Sequence, residues 1–412
     1  MDYVNQEPKD ILKSVWGYDA FRENQEEAIN KIISQNTDIM YIAKTGSGKS
    51  LVYQLPILAM EGLALIVSPL ISLMSDQVQS LKDKGIRAEE YNSTVGVRTK
   101  KAIELKIKNG EVDLLYAAPE TILSPLFLDF LTNEANIKYL VLDEAHTISS
   151  YGNDFRPRYK DVKVLREILN VPCIALTATA DENTEADIIE TLKLGKKGFD
   201  FLELRQHLDR PSIFYNTSPK KINAKKQIID ILEQHDKNQT GIIYCTTVKA
   251  CEDLASFLYR QGYKAKPYYS KLKTKQKEDV LNDWLANKLN IVVATSAFGM
   301  GIDHPSVRYV ICYNMPSSIE DLLQSIGRAS RDGLPSQAYI LHDNDDIKLW
   351  KFLFTKTVDK ANMVSRTQKL NDVTRLLRSR GCLRRQIVEY FGQQYPEDNC
   401  GSCSNCLKIK VR

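Results

Sequence analysis

The chain has 412 residues, which is longer than a domain with a single hydrophobic core usually is, so two or three domains are expected. Hydrophobic residues make up 43% of it and charged residues 26%, a balance that excludes a disordered or membrane-embedded protein. The first ten residues lack the basic-then-apolar pattern of a secretion signal, and the most apolar run, residues 63–74, is too short to span a bilayer. We therefore expect an intracellular, cytoplasmic protein with no membrane association.

The net charge of +4 is unevenly distributed along the chain. Residues 347–412 hold 14 Lys and Arg against 5 Asp and Glu, a net +9, while the remainder carries 42 against 47, a net −5. A basic C-terminal piece on a slightly acidic body indicates a polyanionic partner. A solvated basic helix face would have the same composition, so charge alone leaves both interpretations open.

Near the N-terminus, Gln25 follows the segment VWGYDAFREN. A glutamine amide has one donor group and one acceptor, which match the N6 and N7 edge of adenine. Gln25 is therefore a candidate for adenine recognition. A lone surface glutamine is the simpler alternative, and nothing in this segment by itself decides between the two.

The strongest single motif is Ala43–Ser50, AKTGSGKS, which lies between an apolar strand-like run and a helix-like one. A strand, a glycine loop and a helix start are the order that a phosphate-binding site requires. Gly46 and Gly48 would let backbone N–H groups turn toward a polyphosphate. Lys49 would contact the β- and γ-phosphates, and the Ser50 hydroxyl could bind Mg²⁺. The usual first glycine of this motif is alanine here.

Farther along, apolar strands alternate with helical segments, which predicts a parallel sheet with crossover helices. Residues 137–142 form one such strand and end in Asp143 and Glu144, where open α/β sheets bind ligands. Asp143 could hold the Mg²⁺ of a nucleotide at the first loop, and Glu144 could orient and deprotonate the attacking water. A later strand, from residue 174, ends in the hydroxyls of Thr177 and Thr179.

A second α/β pattern follows a boundary that we place near residue 207, with strands at 241–245 and 291–295 and a helix at 248–261. No second glycine-lysine phosphate loop occurs in it. It carries instead Arg328 and Arg331, which would share one face if this segment is helical. Two arginines from a second domain can neutralise the charge that develops on a transferring γ-phosphate, although a surface arginine pair is the alternative.

The eight cysteines fall into two groups. Four are scattered through apolar or helical contexts and are predicted to be buried thiols: Cys173, Cys245, Cys251 and Cys312. The other four lie within 25 residues in a C-x₁₇-C-x₂-C-x₂-C pattern: Cys382, Cys400, Cys403 and Cys406. In an intracellular chain this spacing favours metal over disulfides, and four thiolates suit a closed tetrahedral Zn²⁺ site. An iron–sulfur cluster is the alternative.

Together these segments resemble the successive motifs of superfamily 2 helicases and, more narrowly, those of RecQ-family DNA helicases. In order they are residues 21–25 (FRENQ), 45–50 (TGSGKS), 68–73 (SPLISL), 143–146 (DEAH), 176–180 (LTATA), 297–303 (AFGMGID) and 324–331 (QSIGRASR). The specific marks of the family are residues 143–159 (DEAHTISSYGNDFRPRY) and the cysteine pattern. The resemblance covers nearly the whole chain.

The resemblance implies an α/β architecture of two tandem RecA-like lobes, with ATP between them, and a small helical zinc-binding subdomain. The first lobe, which binds ATP, would span residues 1–207, the second 208–343, and the basic zinc-binding subdomain 344–412. Longer relatives continue into a winged-helix domain and a helical auxiliary domain. This sequence resembles either a naturally short member or a trimmed piece of a longer one, and we expect its basic zinc-linked segment to carry more of the DNA affinity than in longer relatives.

The resemblance also assigns roles to individual residues. The catalytic set is Lys49, Asp143, Glu144, Gln324, Arg328 and Arg331. The nucleotide-binding set is Phe21, Arg22, Gln25, Thr45, Gly46, Ser47, Gly48, Lys49 and Ser50, and Ser50 and Asp143 bind Mg²⁺. The set that couples DNA contact to hydrolysis is His146, Tyr151, Phe155, Arg156, Thr177, Thr179 and Asp303. Four positions depart from the family pattern: Ala43 replaces Gly, Tyr151 replaces Trp, Asn153 replaces His and Ser330 replaces Gly.

By resemblance the chain is an ATP- and Mg²⁺-dependent DNA helicase that moves 3′ to 5′ on single strands and acts in DNA repair, recombination or replication. Its partners would be single-stranded DNA and forked or tailed duplexes, and we expect a monomer, on the nucleoid if the source is bacterial. Two alternatives stay open. One is a DNA-binding module with little or no turnover, such as a strand annealer; the other is an RNA helicase, which would share the DEAH motif.

Overall fold

The structure is a computed structural model that describes residues 3–44, 46–149, 157–299, 304–358 and 360–407. The chain divides into two compact units, Met1–His207 and Leu208–Arg412, and each unit is built on one parallel sheet.

Unit 1 contains a seven-stranded parallel sheet in the order β3-β4-β2-β5-β6-β1-β7. Its strands are β1 (Thr37–Ile42), β2 (Leu63–Val67), β3 (Ala88–Tyr91), β4 (Leu114–Ala117), β5 (Ile137–Leu142), β6 (Cys173–Thr177) and β7 (Asp200–Arg205). Its helices are α1 (Pro8–Ile11), α2 (Gln25–Ile33), α3 (Lys49–Gln54), α4 (Ile71–Asp83), α5 (Val97–Lys108), α6 (Pro119–Ile122), α7 (Pro125–Asn133), α8 (Pro157–Lys160), α9 (Lys163–Ile168) and α10 (Glu182–Leu192).

The central strands of this sheet are buried and mainly apolar, as expected for a parallel sheet with helices on both faces. Every residue of β1, β2, β4 and β6 is buried. Alternate side chains along a strand enter different cores: Tyr41 contributes to one apolar cluster, and its neighbours Met40 and Ile42 contribute to another. All strands run in one direction, so their carboxyl ends lie at a single edge of the sheet.

Unit 2 contains a six-stranded parallel sheet in the order β10-β11-β9-β12-β13-β8. Its strands are β8 (Ile213–Pro219), β9 (Thr240–Tyr244), β10 (Ala265–Tyr268), β11 (Ile291–Ala294), β12 (Val307–Cys312) and β13 (Ser336–His342). Its helices are α11 (Ala224–Leu232), α12 (Val248–Arg260), α13 (Thr274–Leu285), α14 (Ile319–Ile326), α15 (Asn344–Thr357), α16 (Lys360–Arg378) and α17 (Leu383–Tyr390).

The C-terminal helices and the cysteine loop, residues 344–407, are called here the zinc-binding segment. Its apolar side chains belong to the same core as one face of the unit 2 sheet, since Leu370, Val373 and Leu383 cluster with Ile213 and Val310. The segment is therefore packed onto unit 2 over a continuous apolar interface.

Two parallel sheets with crossover helices confirm the predicted α/β architecture. On either side of the predicted boundary near residue 207, the structure shows two edge strands that the sequence analysis did not predict. Strand β7 pairs with β1 in unit 1, and β8 pairs with β13 in unit 2. Strand β7 escaped notice because it is a partly exposed edge strand with charged residues at Asp200, Glu203 and Arg205, which hide the apolar pattern.

Candidate nucleotide site and zinc centre

The phosphate loop has the backbone conformation that its glycines predict. Gly46 has φ of 81° and Gly48 has φ of 84°, in the left-handed region that residues with a Cβ rarely adopt. A Cβ on Gly48 would lie 2.9 Å from the Nε2 atom of Gln25. Helix α3 begins at Lys49, directly after the loop, so the N–H groups of its first turn lie at the loop.

Gln25 is fixed against this loop by both ends of its amide. Its Oε1 accepts from the Arg22 N–H at 2.8 Å, and its Nε2 donates to the Gly48 carbonyl at 3.1 Å. The Arg22 guanidinium donates to the Gly46 carbonyl at 3.1 Å. The residues proposed to recognise the base are thus joined to those proposed to hold the phosphates.

Asp143 lies at the carboxyl end of β5 and is buried close to Lys49. Burial and, to a smaller extent, the charge of Glu144 raise the pKa of Asp143 to about 7, although the charge of Lys49 opposes both effects. The Lys49 ammonium itself donates to the Ala43 carbonyl at 2.9 Å. A buried carboxylate with a second carboxylate beside it is a set of hard oxygen donors, which fits a divalent cation such as Mg²⁺.

Glu144 has a left-handed backbone, with φ of 50°, which is uncommon for a residue with a long side chain. Its N–H donates to Asp143 Oδ1 at 3.0 Å, so the strained turn also orients the first carboxylate. Within the described residues its buried Oε2 makes no hydrogen bond, and His146 Nδ1 lies 3.4 Å away. Strained residues of this kind concentrate at functional sites.

His146, Thr177 and Thr179, three residues of the predicted DNA-coupling set, lie together. The Thr177 hydroxyl donates to the Thr179 carbonyl at 3.1 Å, and His146 Nδ1 lies 2.9 Å from the same hydroxyl oxygen. The contact of His146 with Thr177 connects the DEAH turn after β5 to the threonine turn after the neighbouring strand β6.

Sequence reasoning did not single out Tyr159, which supports this edge of the sheet. Its ring is fully buried, and its hydroxyl donates to the Val67 carbonyl at the end of β2 at 2.7 Å and to the Asp143 carbonyl. The residue therefore holds the ends of β2 and β5 together beneath the carboxylates. The available signal was its place at the end of the family-specific segment 143–159.

In unit 2 the structure corrects the expectation that Arg328 and Arg331 share a helix face. Helix α14 carries Gln324 but ends at Ile326, and Ser330 has φ of 57°, so the pair lies on a turn beyond the helix. Arg328 is buried beside the Tyr244 hydroxyl, whose pKa burial raises to about 12 while the two arginines oppose the shift.

Five predicted site residues lie outside the described residues, and the structure does not test them: Thr45, Tyr151, Phe155, Arg156 and Asp303.

The four C-terminal cysteines form one cluster. The Sγ atoms of Cys382, Cys400, Cys403 and Cys406 all lie within 4.8 Å of one another. The separation of the Cys400 and Cys406 Sγ atoms is 3.8 Å, far longer than a disulfide bond and equal to the edge of a tetrahedron with Zn–S bonds of about 2.3 Å. The donor set therefore fits a structural Zn²⁺ ion.

Backbone contacts attach this cluster to the edge strand β8. The Ser404 N–H donates to the Tyr215 carbonyl at 2.8 Å, and Cys403 forms an isolated parallel bridge with Tyr215. N–H groups of Arg385 and Ser402 donate to the sulfurs of Cys382 and Cys400, both at 3.4 Å. The cysteine loop thus covers the outer edge of the unit 2 sheet. The other four cysteines are buried thiols, as predicted.

Three protein-family models match consecutive parts of the chain. The model described as DEAD/DEAH box helicase matches residues 22–187, the helicase conserved C-terminal domain matches 221–333, and the RecQ zinc-binding model matches 344–407. The third includes all four clustered cysteines, which decides the metal as zinc over an iron–sulfur cluster. In the part of the chain that the structure describes, no helix is long and apolar enough to cross a membrane.

Among solved structures, the DEAD-box helicase Mss116 bound to ssRNA and UDP-BeF has a TM-score of 0.66 at 20% identity, covering 86% of this chain and 76% of that one. At that identity the likeness concerns the fold alone. The two RecA-like lobes and the phosphate loop place the chain in the class of DEAD/DEAH-box helicase folds.

Sequence identity to known proteins shows which family of helicases the chain belongs to. The chain is 36% identical to the ATP-dependent DNA helicase RecQ of Haemophilus influenzae, covering 96% of this chain and 63% of that protein. It is 34% identical to the RecQ helicase of Bacillus subtilis, at 97% and 67% coverage, and 36% identical to a protein of Acanthamoeba polyphaga mimivirus named as an ATP-dependent RNA helicase, at 97% and 72%. The chain belongs to the RecQ family. It spans less than two thirds of the length of the first of these relatives.

Proposed function

We propose that this chain is an ATP-dependent DNA helicase that moves 3′ to 5′ along single-stranded DNA and separates duplex DNA. The observation that carries the proposal is the meeting of a phosphate loop, Lys49 and the pair Asp143 and Glu144 at one edge of the unit 1 sheet. Membership of the RecQ family supports DNA as the substrate. The direction of movement rests on family resemblance.

In the hydrolysis step, the N–H groups at the start of α3 and the Lys49 ammonium would hold the β- and γ-phosphates. Ser50 and Asp143 would hold Mg²⁺, which supplies positive charge to the phosphate oxygens. Glu144 would orient the attacking water and take its proton, since its Oε2 makes no hydrogen bond among the described residues. Gln25 would recognise the base while keeping the loop in place.

Unit 2 would supply positive charge to the γ-phosphate as it is transferred. We propose that Arg328 and Arg331 neutralise the charge that develops on the γ-phosphate during hydrolysis. Gln324, on the preceding helix, would contact the same phosphate or its water. The three-part division at residues 207 and 343 is part of this proposal, as are Mg²⁺, a monomeric state and, for a bacterial source, action on the nucleoid.

Coupling to DNA would pass through His146. Its link to Thr177 joins the hydrolytic carboxylate Glu144 to the turn after β6. Phosphate-backbone contacts along this edge, together with stacking of bases on Tyr151 and Phe155, would then be sensed at Glu144. Arg156 and Asp303 complete the proposed set.

The test is ATP turnover with and without single-stranded DNA, followed by unwinding of 3′-tailed and 5′-tailed duplexes. Lys49→Ala should lower DNA-stimulated turnover at least about 100-fold while DNA binding remains, because one preorganised charge on the phosphates is lost. Lys31→Ala, an exposed lysine of α2, is the matched control and should behave as the unmodified chain. Turnover retained in Lys49→Ala would overturn the proposal.

The same assay separates the alternatives. DNA-stimulated turnover without unwinding would define a translocase, and no turnover would define a DNA-binding module. The mimivirus relative is named as an RNA helicase, so DNA and RNA strands of one sequence should be compared. Equal or greater stimulation by RNA would favour an RNA substrate.

A further inference from the structure

The turn that carries the arginine pair is held by a residue from the first few positions of unit 2. We propose that Arg210 is a positioning residue that fixes the turn bearing Arg328 and Arg331, and that Arg384 of the zinc-binding segment holds the chain around Arg210. The inference rests on the function proposed above, because it places Arg210 behind the same hydrolysis step.

The contacts of Arg210 are with the backbone of that turn. Its Nη1 donates to the Gly327 carbonyl at 2.7 Å, and its Nη2 donates to the carbonyls of Ala329 and Ser330 at 2.8 and 3.0 Å. These carbonyls lie just beyond Ile326, where helix α14 ends, and the Ser330 carbonyl also accepts from the Gly333 N–H at 3.2 Å. The rigid, planar guanidinium donates to all three carbonyls at once, which a lysine cannot do in the same geometry.

These three carbonyls flank both arginines. Arg328 lies between Gly327 and Ala329, and Arg331 follows Ser330 directly. Ser330 has φ of 57°, a left-handed backbone conformation immediately before Arg331. Because the peptide groups on either side of Arg328 and ahead of Arg331 are fixed by one side chain, loss of that side chain would let both guanidinium groups move.

The charges around the Arg210 guanidinium also support a role for this residue at the arginine turn. Burial lowers the pKa of the Arg210 guanidinium, Tyr215 raises it, and the charge of nearby Arg331 lowers it again. Two like charges in one partly buried turn make an anion at Arg331 more favourable than it would be beside a single arginine. Arg210 therefore both shapes the turn and increases its preference for a phosphate.

The zinc-binding segment holds the chain on the other side of Arg210. Arg384, two residues beyond the zinc ligand Cys382, forms an ion pair with Asp209 and is 1% exposed. It also donates to the Ile213 carbonyl at 2.7 Å and lies over the Tyr215 ring at 4.7 Å. The residues just before and just after Arg210 are thus both attached to helix α17, which links the cysteine cluster to the arginine turn.

The experiment compares Arg210→Gln and Arg210→Lys with Arg331→Ala in steady-state ATP turnover. Arg210→Gln should lower kcat about 100-fold with KM for ATP changed less than about threefold, since small displacements of a catalytic group cost about that much. Arg210→Lys should fall between Arg210→Gln and the unmodified chain. The matched control is Arg87→Gln, because Arg87 also donates to a carbonyl beyond a helix end, that of Gly110 at 2.9 Å, but lies in unit 1.

A triple variant separates positioning from folding. If Arg210 acts through Arg328 and Arg331, adding Arg210→Gln to the double variant Arg328→Ala/Arg331→Ala should not slow turnover further. Multiplied losses, or an unchanged kcat in both Arg210 variants while Arg331→Ala is slow, would overturn the inference and leave the proposed function intact. Unchanged turnover in both Arg331→Ala and Lys49→Ala would instead overturn the proposed function. Arg210→Lys keeps the test valid if Arg210→Gln does not fold.

Discussion

Glu320 and Lys369 form a buried ion pair between helix α14, which leads to the arginine turn, and helix α16 of the zinc-binding segment. Their side chains are 10% and 8% exposed, and the Tyr390 hydroxyl donates a further hydrogen bond to Glu320 Oε1 at 3.2 Å. Helix α14 is therefore attached to the zinc-binding segment at its first turn, and its C-terminal end is attached to Arg210. Both attachments are polar contacts in low-dielectric surroundings, where an unpaired partner is costly.

We predict that Lys369→Met destabilises the chain strongly because it leaves the Glu320 carboxylate buried without its cation. The expected loss is about 3–5 kcal/mol of unfolding free energy, measured by urea unfolding. Adding Glu320→Leu should recover most of it, since two apolar side chains can replace a buried pair. Lys348→Met removes an exposed pair with Asp345 and should have no measurable effect. Equal stability of Lys369→Met and Lys348→Met would show that the pair contributes nothing.

We predict that the hydrogen bonds of the Ser330 hydroxyl offset the free-energy cost of its left-handed backbone. Its left-handed backbone costs about 1 kcal/mol relative to glycine, and its hydroxyl, within reach of the Leu334 carbonyl at 2.7 Å and of Ser212 Oγ at 2.6 Å, offsets that cost. Ser330→Ala keeps the strain and loses the bonds, so it should destabilise by about 1 kcal/mol, whereas Ser330→Gly should be close to neutral. Thermal unfolding of both variants checks this order, and a more stable alanine variant would contradict it.

Zinc removal is expected to unfold the cysteine loop. Cys403 is fully buried and bridges to Tyr215 on the edge strand β8, so its loss exposes that edge as well as breaking the metal site. We predict one zinc per chain, insoluble protein for Cys403→Ser, and loss of structure on chelation that is reversed when zinc is returned. The measurements are metal analysis and circular dichroism. A Cys403→Ser protein that is soluble, free of zinc and active would contradict this prediction.

The sequence predicted the parts of this chain whose chemistry is local. The phosphate loop, the DEAH turn and the cysteine spacing each combine a few adjacent residues with one physical requirement, and the structure places these residues in the expected kind of element. The left-handed glycines at 46 and 48 follow directly from the need to turn N–H groups toward phosphate.

Contacts between residues far apart in the chain could not be predicted in this way. Gly241 gave no signal, yet a Cβ there would lie 1.9 Å from a ring atom of Tyr309 on the neighbouring strand. The sequence analysis did not single out Arg210, whose partners in the arginine turn lie more than 100 residues away. The assumption that Arg328 and Arg331 share a helix failed because the left-handed Ser330 is not visible from composition.

Glu144 has a strained backbone, and its buried Oε2 makes no hydrogen bond among the described residues. We therefore predict that its carboxylate activates the attacking water. Glu144→Gln has the same shape and keeps the backbone N–H that donates to Asp143, so fold and ATP binding should be preserved. An amide cannot take a proton from water, and kcat should fall about 10²- to 10⁴-fold. Glu111→Gln, an exposed residue of unit 1, is the control and should leave turnover unchanged. If Glu144→Gln binds ATP and keeps a near-normal kcat, another residue must be the general base. If the variant no longer binds ATP, the carboxylate shapes the nucleotide site rather than activating water.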